Sequence, residues 1–264
     1  MSQSEPEDRG SRPSLPRSVR VIAGVAIVLF WGVLLTLRLA VGLPLLDSLL
    51  LTALLVAVPG LSLAQLPLIE HAPLERLEAY WSSIATLWLL GTASWFVGTR
   101  DGGAAGVGLA GMTWGGLASW TVGLAAGGLL TVVAFRQLSM WTGKLDSRLL
   151  RQLLPRTRQE RAVFGVLSLA AGFGEEIAYR GYAITTLVPL IGAPAAAVLT
   201  SVVFGMLHGY QGALGILRTG VMGGMLAWGF LASGSLWPPI LAHTAIDLVA
   251  GLWLGERLLS PRSV

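Results

Sequence analysis

The sequence has no cysteine, which excludes disulfides, thiolate metal sites and a cysteine nucleophile. Charge is equally scarce. Asp, Glu, Lys and Arg make up 12% of the chain, where a soluble domain carries roughly 25%. Together with 54% hydrophobic residues and a mean hydropathy of +0.70, this excludes an ordinary soluble fold. There is no His-Glu-x-x-His zinc motif and no Gly-x-Gly-Asp motif, so two common embedded hydrolytic sites are missing. A net charge of +4 and a pI near 10.1 would suggest nucleic acid in a soluble protein. Here the basic residues cluster at the ends of apolar runs, so the expected partners are membrane lipids and not nucleic acid.

What is present is apolar sequence in long runs. Backbone groups in lipid must be satisfied internally, so runs of this length are helices. The fold class that follows is all-α, a polytopic transmembrane helical bundle of about eight spans. Residues 1–20, rich in Ser, Pro and Arg, read as a disordered cytoplasmic tail. Residues 21–135 form an N-terminal transmembrane region of about four spans, the first uncleaved, the second kinked at Pro59-Gly60. Residues 136–161 form a basic connector carrying Arg136, Lys144, Arg148, Arg151, Arg156, Arg158 and Arg161. The positive-inside rule makes it cytoplasmic. Leu149, Leu150, Leu153 and Leu154 within it suit an interfacial helix or a solvated linker. Residues 162–255 hold four further spans, and 256–264 a C-terminal tail. This describes an integral protein of a bacterial-type cell membrane with both termini cytoplasmic. The 34 glycines suit close helix packing.

The second half holds few ionisable groups, and their spacing is informative. Residues 162–174 contain no charge, and then Glu175, Glu176 and Arg180 arrive together. On a helix Glu176 and Arg180 stand i,i+4 and can pair, while Glu175 points about 100° away. Two like groups in unlike settings are the arrangement from which one free base arises. His208 follows on a later span. His243 and Asp247 share a helical face on another. A charge in lipid costs several kcal/mol, roughly 2.5 to 3.5 on insertion scales, so these groups are expected to converge in the bundle interior. A carboxylate and imidazole cluster of Glu175, His208 and His243 can bind a divalent metal such as Zn, or hold and deprotonate a water directly.

Glu-Glu-x-x-x-Arg at 175–180, Phe-x-x-x-His at 204–208 and His-x-x-x-Asp at 243–247, in that order on successive apolar segments, resemble the three motifs of the CAAX-protease and bacteriocin-processing family. That family of intramembrane proteases includes the type II prenyl endopeptidases. The resemblance covers about 160–255. It implies an endopeptidase, of glutamate or metallo type, cleaving a peptide bond near the membrane surface. Glu175, helped by His208, would activate the water. Glu176 would hold Arg180, and His243 and Asp247 would face an oxyanion or a metal. The substrate implied is a peptide or protein, lipidated by analogy. The family accepts Asn or Asp at the last position; an Asn amide donates to an oxyanion and an ionised Asp does not. Asp247 therefore suits orienting His243, accepting from Arg218, or binding metal.

Blander readings stand beside these. Glu176 and Arg180 can be a structural ion pair, Phe204 plain packing, and Arg38 and Arg218 snorkelling or structural groups. The whole set can serve a non-catalytic binding or immunity protein, or a proton-coupled transporter, although no inverted repeat is visible.

Overall fold

The computed structural model describes residues 15–69, 74–143 and 147–255, and helices without strands make up its regular structure there. Most of the N-terminal tail, the C-terminal tail, His71 in its loop, and Lys144 of the connector lie outside the described residues.

Helix α1 (Arg17–Leu35) begins ahead of Val21, taking in Arg17 and Arg20, and widens into a π-helical turn at Thr36–Ala40. Helix α2 (Leu45–Thr52) runs through a π-helical turn, Ala53–Ala57, into α3 (Val58–Ile69). Pro59 has no N–H, and its ring crowds the carbonyl four residues back, at Leu55. That carbonyl lies in the π turn, so the distortion attributed to Pro59 falls one turn earlier. Helix α4 (Arg76–Thr99) follows, then a short 3₁₀ turn at Gly103–Val107, then α5 (Trp114–Thr142). The Thr113 hydroxyl caps α5 by accepting from the Gly116 amide, and left-handed Gly143 ends it. Arg136 is therefore helical and not part of a loop.

The leucine-rich stretch of the connector contains one short helix, α6 (Arg148–Gln152). Leu149 is buried, Leu153 packs on Tyr80, Ile84 and Val163, and the Tyr80 hydroxyl donates to the Leu153 carbonyl. Leu149 and Leu153 thus dock on the bundle. Helix α7 (Arg158–Glu175) opens with a capping box from Thr157 and Glu160. It continues as a π-helical segment, Glu176–Ile184, into α8 (Thr185–Ile191). Helices α9 (Ala193–Leu207), α10 (Ala213–Ser233) and α11 (Trp237–Leu248, extended by a π turn at Val249–Leu254) complete the bundle.

Helices occupy all eight segments expected to span, yet five are long and apolar enough to cross a membrane: Arg17–Ala40, Leu45–Ile69, Trp114–Thr142, Arg158–Ile191 and Ala213–Ser233. That pattern makes this an integral membrane protein, but it does not reach a count of eight. Helix α4 has the length, but its Trp, Ser and Thr lower its hydropathy. The 15 residues of α9 rise only about 22 Å, against a hydrocarbon core of about 30 Å. Helix α10 packs along α9, α4 along α7, and α11 on both α5 and α7. One core joins Leu51 and Leu54 of the N-terminal part to Tyr179, Tyr182, Ala183 and Phe204.

Candidate active site

Two close backbone approaches fix the end of α7. A Cβ on Gly174 would lie 2.5 Å from the Leu87 carbonyl oxygen of α4, and one on Gly91 would lie 2.8 Å from the Gly174 Cα. On the other side, a Cβ on Gly172 would lie 2.9 Å from the Ile240 carbonyl oxygen of α11. Only glycine lets these helices come this near. The carboxylates that follow are thereby held between α4 and α11, where the helix widens into its π segment. Such widened turns recur at functional sites.

The adjacent acids then meet opposite surroundings. Glu176 is fully buried, and its Oε1 accepts from Arg180 Nη1 at 2.8 Å and from His243 Nδ1 at 2.7 Å. Arg180 Nη2 donates to the Gly223 carbonyl at 3.2 Å, and its guanidinium carbon lies 4.3 Å from the centroid of the Phe204 ring. Glu175 instead lines a cavity of about 800 Å³ together with His208, His243 and Asp247. Its side chain is 15% exposed, but its Oε2 atom is buried with no hydrogen-bond partner among the described residues.

Since the Glu176 carboxylate accepts, His243 donates from Nδ1, and this sets the ring's orientation. Its Nε2 then stands 3.7 Å from Glu175 Oε2 and 3.6 Å from Asp247 Oδ2. Those separations exceed a direct hydrogen bond and suit a bridging water. His208 caps the end of α9, with Nδ1 2.9 Å from the Phe204 carbonyl. That nitrogen is the donor, so in the neutral ring Nε2 is an acceptor. The Phe204 ring neighbours both imidazoles, with centroids 4.9 Å from His208 and 6.0 Å from His243.

Glu175, Glu176, Arg180, His243 and Asp247 thus form one contiguous cluster, and His208 faces the same cavity from α9. The proposed zinc set of Glu175, His208 and His243 does not assemble. Among the described residues no three His, Cys, Asp or Glu side chains could hold a metal ion. Each imidazole keeps its Nε2 open, so what is missing is convergence: His243 Nε2 stands 3.7 Å from Glu175 Oε2, while His208 reaches the cavity from α9. Arg218 donates to Gln211 Oε1 at 2.8 Å.

Sequence reasoning overlooked several contributors. The opposite cavity wall comes from α3 and α4, including Ser62, Leu66, Leu87 and Leu90. Tyr179, one α-helical turn past Glu175, donates to the Leu54 carbonyl at 3.3 Å. Asp47 is buried in an apolar span, where it accepts from Arg100 and from the Tyr182 hydroxyl. A lone acid in such a span was the signal that could have found it. Gly172-x-Gly174 directly before the acids was a second.

No curated protein and no solved structure matches the chain. Residues 157–249, which hold all three motifs, match the family described as type II CAAX prenyl endopeptidase Rce1-like, consistent with the CAAX-protease and bacteriocin-processing family to which those motifs point.

Proposed function

We propose that this protein is an intramembrane endopeptidase in which Glu175 and His208 activate a water that hydrolyses a peptide bond. The observation that carries this reading is the buried, unpartnered Oε2 of Glu175, facing the cavity beside an imidazole nitrogen that Glu176 has fixed in place. Glu175 takes a proton from the water, and His208 Nε2 accepts its other hydrogen. The oxygen adds to the scissile carbonyl, and Glu175 then delivers its proton to the departing amine. Glu176 and Arg180 hold His243 from behind, and Asp247 closes the acceptor side. No step runs through a metal.

The substrate is a peptide or protein segment. The matched family's description, together with the leucine-lined cavity wall, favours one carrying a lipid near the cleavage point. Arg148, Arg151, Arg156, Arg158 and Arg161 hold their end of the bundle at the cytoplasmic face.

Glu175→Gln is nearly isosteric but takes up no proton. In proteoliposomes carrying a lipidated peptide reporter, it is expected to cut turnover by at least about 10²-fold, the usual contribution of a general base, with an unchanged melting temperature. Cleavage at the parent rate would refute the hydrolase. A parent that supports a cellular phenotype equally well as Glu175→Gln would point instead to a binding or immunity protein.

A further inference from the structure

Hydrolysis at this centre needs more than a base. Attack on the carbonyl drives an electron pair onto oxygen, and that charge requires a hydrogen-bond donor aimed at it. In the tetrahedral adduct, the oxyanion and the hydroxyl whose hydrogen His208 accepts sit on one carbon. A donor for the oxyanion therefore belongs on the cavity wall beside the His208 ring. Phe204 and Tyr210 both neighbour that imidazole. Phe204 has no side-chain polar atom to offer. Tyr210 has a hydroxyl, its ring centroid lies 5.9 Å from that of His208, and it lines the same cavity as Glu175, His243 and Asp247.

The turn after His208 fixes which way the Tyr210 hydroxyl bonds. In the 3₁₀ turn Gly209–Gln211 the Gln211 backbone N–H donates to the His208 carbonyl at 2.9 Å, and the Ser147 hydroxyl donates to the Tyr210 carbonyl. The Gln211 side-chain oxygen accepts from Arg218 Nη2 at 2.8 Å and from the Thr219 hydroxyl at 3.3 Å. A guanidinium only donates, so the oxygen end of the Gln211 side chain faces Arg218 and the nitrogen end is left for Tyr210. Gln211 Nε2 accordingly donates to the Tyr210 hydroxyl oxygen at 3.1 Å. In that bond the phenol accepts, and its own hydrogen stays available. Among the described residues nothing takes it. Burial pushes the Tyr210 hydroxyl up to about 12, the bond from Gln211 works against the rise, and the Asp247 and Glu175 carboxylates add to it. Tyr210 therefore keeps its proton at neutral pH. Its hydroxyl also lies within electrostatic reach of the two carboxylates that flank His243 Nε2.

Building on the hydrolase reading above, we propose that the Tyr210 hydroxyl is the oxyanion donor of this site, with Gln211 as its positioning residue. The water oxygen bonds to the carbonyl carbon as Glu175 takes one of its protons, and the C=O π pair becomes the oxyanion that accepts from Tyr210. When that pair returns, the C–N bond breaks and the amine takes the proton held by Glu175. Tyr210 stays protonated throughout. A donor whose direction is set beforehand by Gln211 needs no reorganisation as charge develops, and in a water-poor cavity it counts for more than in bulk solvent.

The test is steady-state cleavage of the lipidated peptide reporter by the full-length protein in proteoliposomes. Tyr210→Phe keeps the ring and removes the donor. It is expected to lower kcat by about 10²- to 10³-fold, the usual loss for one oxyanion donor, while KM stays within about threefold and the melting temperature is unchanged. Gln211→Glu reverses the bond: one carboxylate oxygen still accepts from Arg218, and the other takes the Tyr210 hydrogen away from the cavity. A purely structural hydroxyl would tolerate that reversal, whereas an oxyanion donor is silenced by it, so kcat falls nearly as far as in Tyr210→Phe. Adding Tyr210→Phe to Gln211→Glu then costs less than about threefold more, because both changes remove the same donor. The proposal is overturned if Tyr210→Phe keeps the parent kcat, if its defect lies in KM alone, if Gln211→Glu is as active as the parent, or if the two losses multiply. A Glu175→Gln protein as active as the parent would instead refute the hydrolase reading itself.

Discussion

The space behind Glu176 and the space in front of Glu175 are one residue apart in sequence and differ in most physical respects. Behind, Arg180, the Gly223 carbonyl, Phe204 and His243 enclose Glu176, and its Oε1 is doubly bonded. In front, Glu175, Asp247 and the Nε2 edge of His243 face a cavity and hold one another at 3.6 to 3.7 Å. Desolvation offsets most of the Coulomb gain of a buried ion pair, so Glu176–Arg180 reads poorly as a stabilising device. Its value is geometric: it pins an imidazole. The front keeps acceptors uncommitted, which is what a reacting water needs.

Alanine at each acid should separate the two sides most sharply. Glu176→Ala strands the buried Arg180 guanidinium and leaves His243 Nδ1 without its acceptor. Removing one partner from a buried pair costs on the order of 3 to 5 kcal/mol. Glu175→Ala removes a carboxylate with a buried, unbonded oxygen, and is expected to cost less than about 1 kcal/mol. Unfolding of both variants in one detergent measures this directly. Equal losses would erase the distinction between a sealed side and an open one.

The next largest effect concerns what holds the acids in place. Gly174→Ala puts a methyl group 2.5 Å from the Leu87 carbonyl oxygen, and backbone cannot step aside as a side chain can. Overpacking of this kind costs about 1 to 3 kcal/mol, and it shifts Glu175, so turnover falls with stability. Gly165→Ala, on the same helix, meets nothing nearer than Leu248 Cδ2 at 3.9 Å. Relief from glycine's chain entropy there should raise stability by about 0.5 to 1 kcal/mol. If both positions respond alike, close approach to α4 is not what positions the site.

How much of this was legible beforehand follows from the range of each interaction. Spacing alone put Glu176 and Arg180 on one face, and they pair at 2.8 Å. Spacing also set His243 and Asp247 together, at 3.6 Å. The all-helical class followed from apolarity, because lipid offers the backbone no other partner. Which imidazole stands against Glu175 was not legible, since it depends on where α11 crosses α7, and the backbone approach at Gly172 decides that. The zinc set turned on the same unread placement: residue type suggests ligands, and only tertiary packing decides whether His208 and His243 converge on Glu175, which they do not among the described residues. The number of spans was less legible than the helices themselves, because apolarity reports surroundings and not length across the bilayer, as the short α9 illustrates.

The smallest effect probes whether the N-terminal helices belong to the site or only to its surroundings. The Tyr182 hydroxyl, on the π segment that carries Glu176 and Arg180, donates to Asp47 Oδ1 at 3.2 Å. Asp47 also accepts from Arg100, at the end of α4. Tyr182→Phe deletes the donor while Asp47 keeps its arginine, so no charge is left unpaired. The net worth of such a hydrogen bond is about 0.5 to 1.5 kcal/mol. Stability should fall by about that much, with turnover within about twofold of the parent, because Glu176 still holds His243. A loss of turnover as deep as that of Glu176→Ala, with the protein still folded, would move the boundary of the catalytic apparatus. Helix α2 would then be setting the register of the π segment, and the sealed side would extend from Gly223 to Asp47.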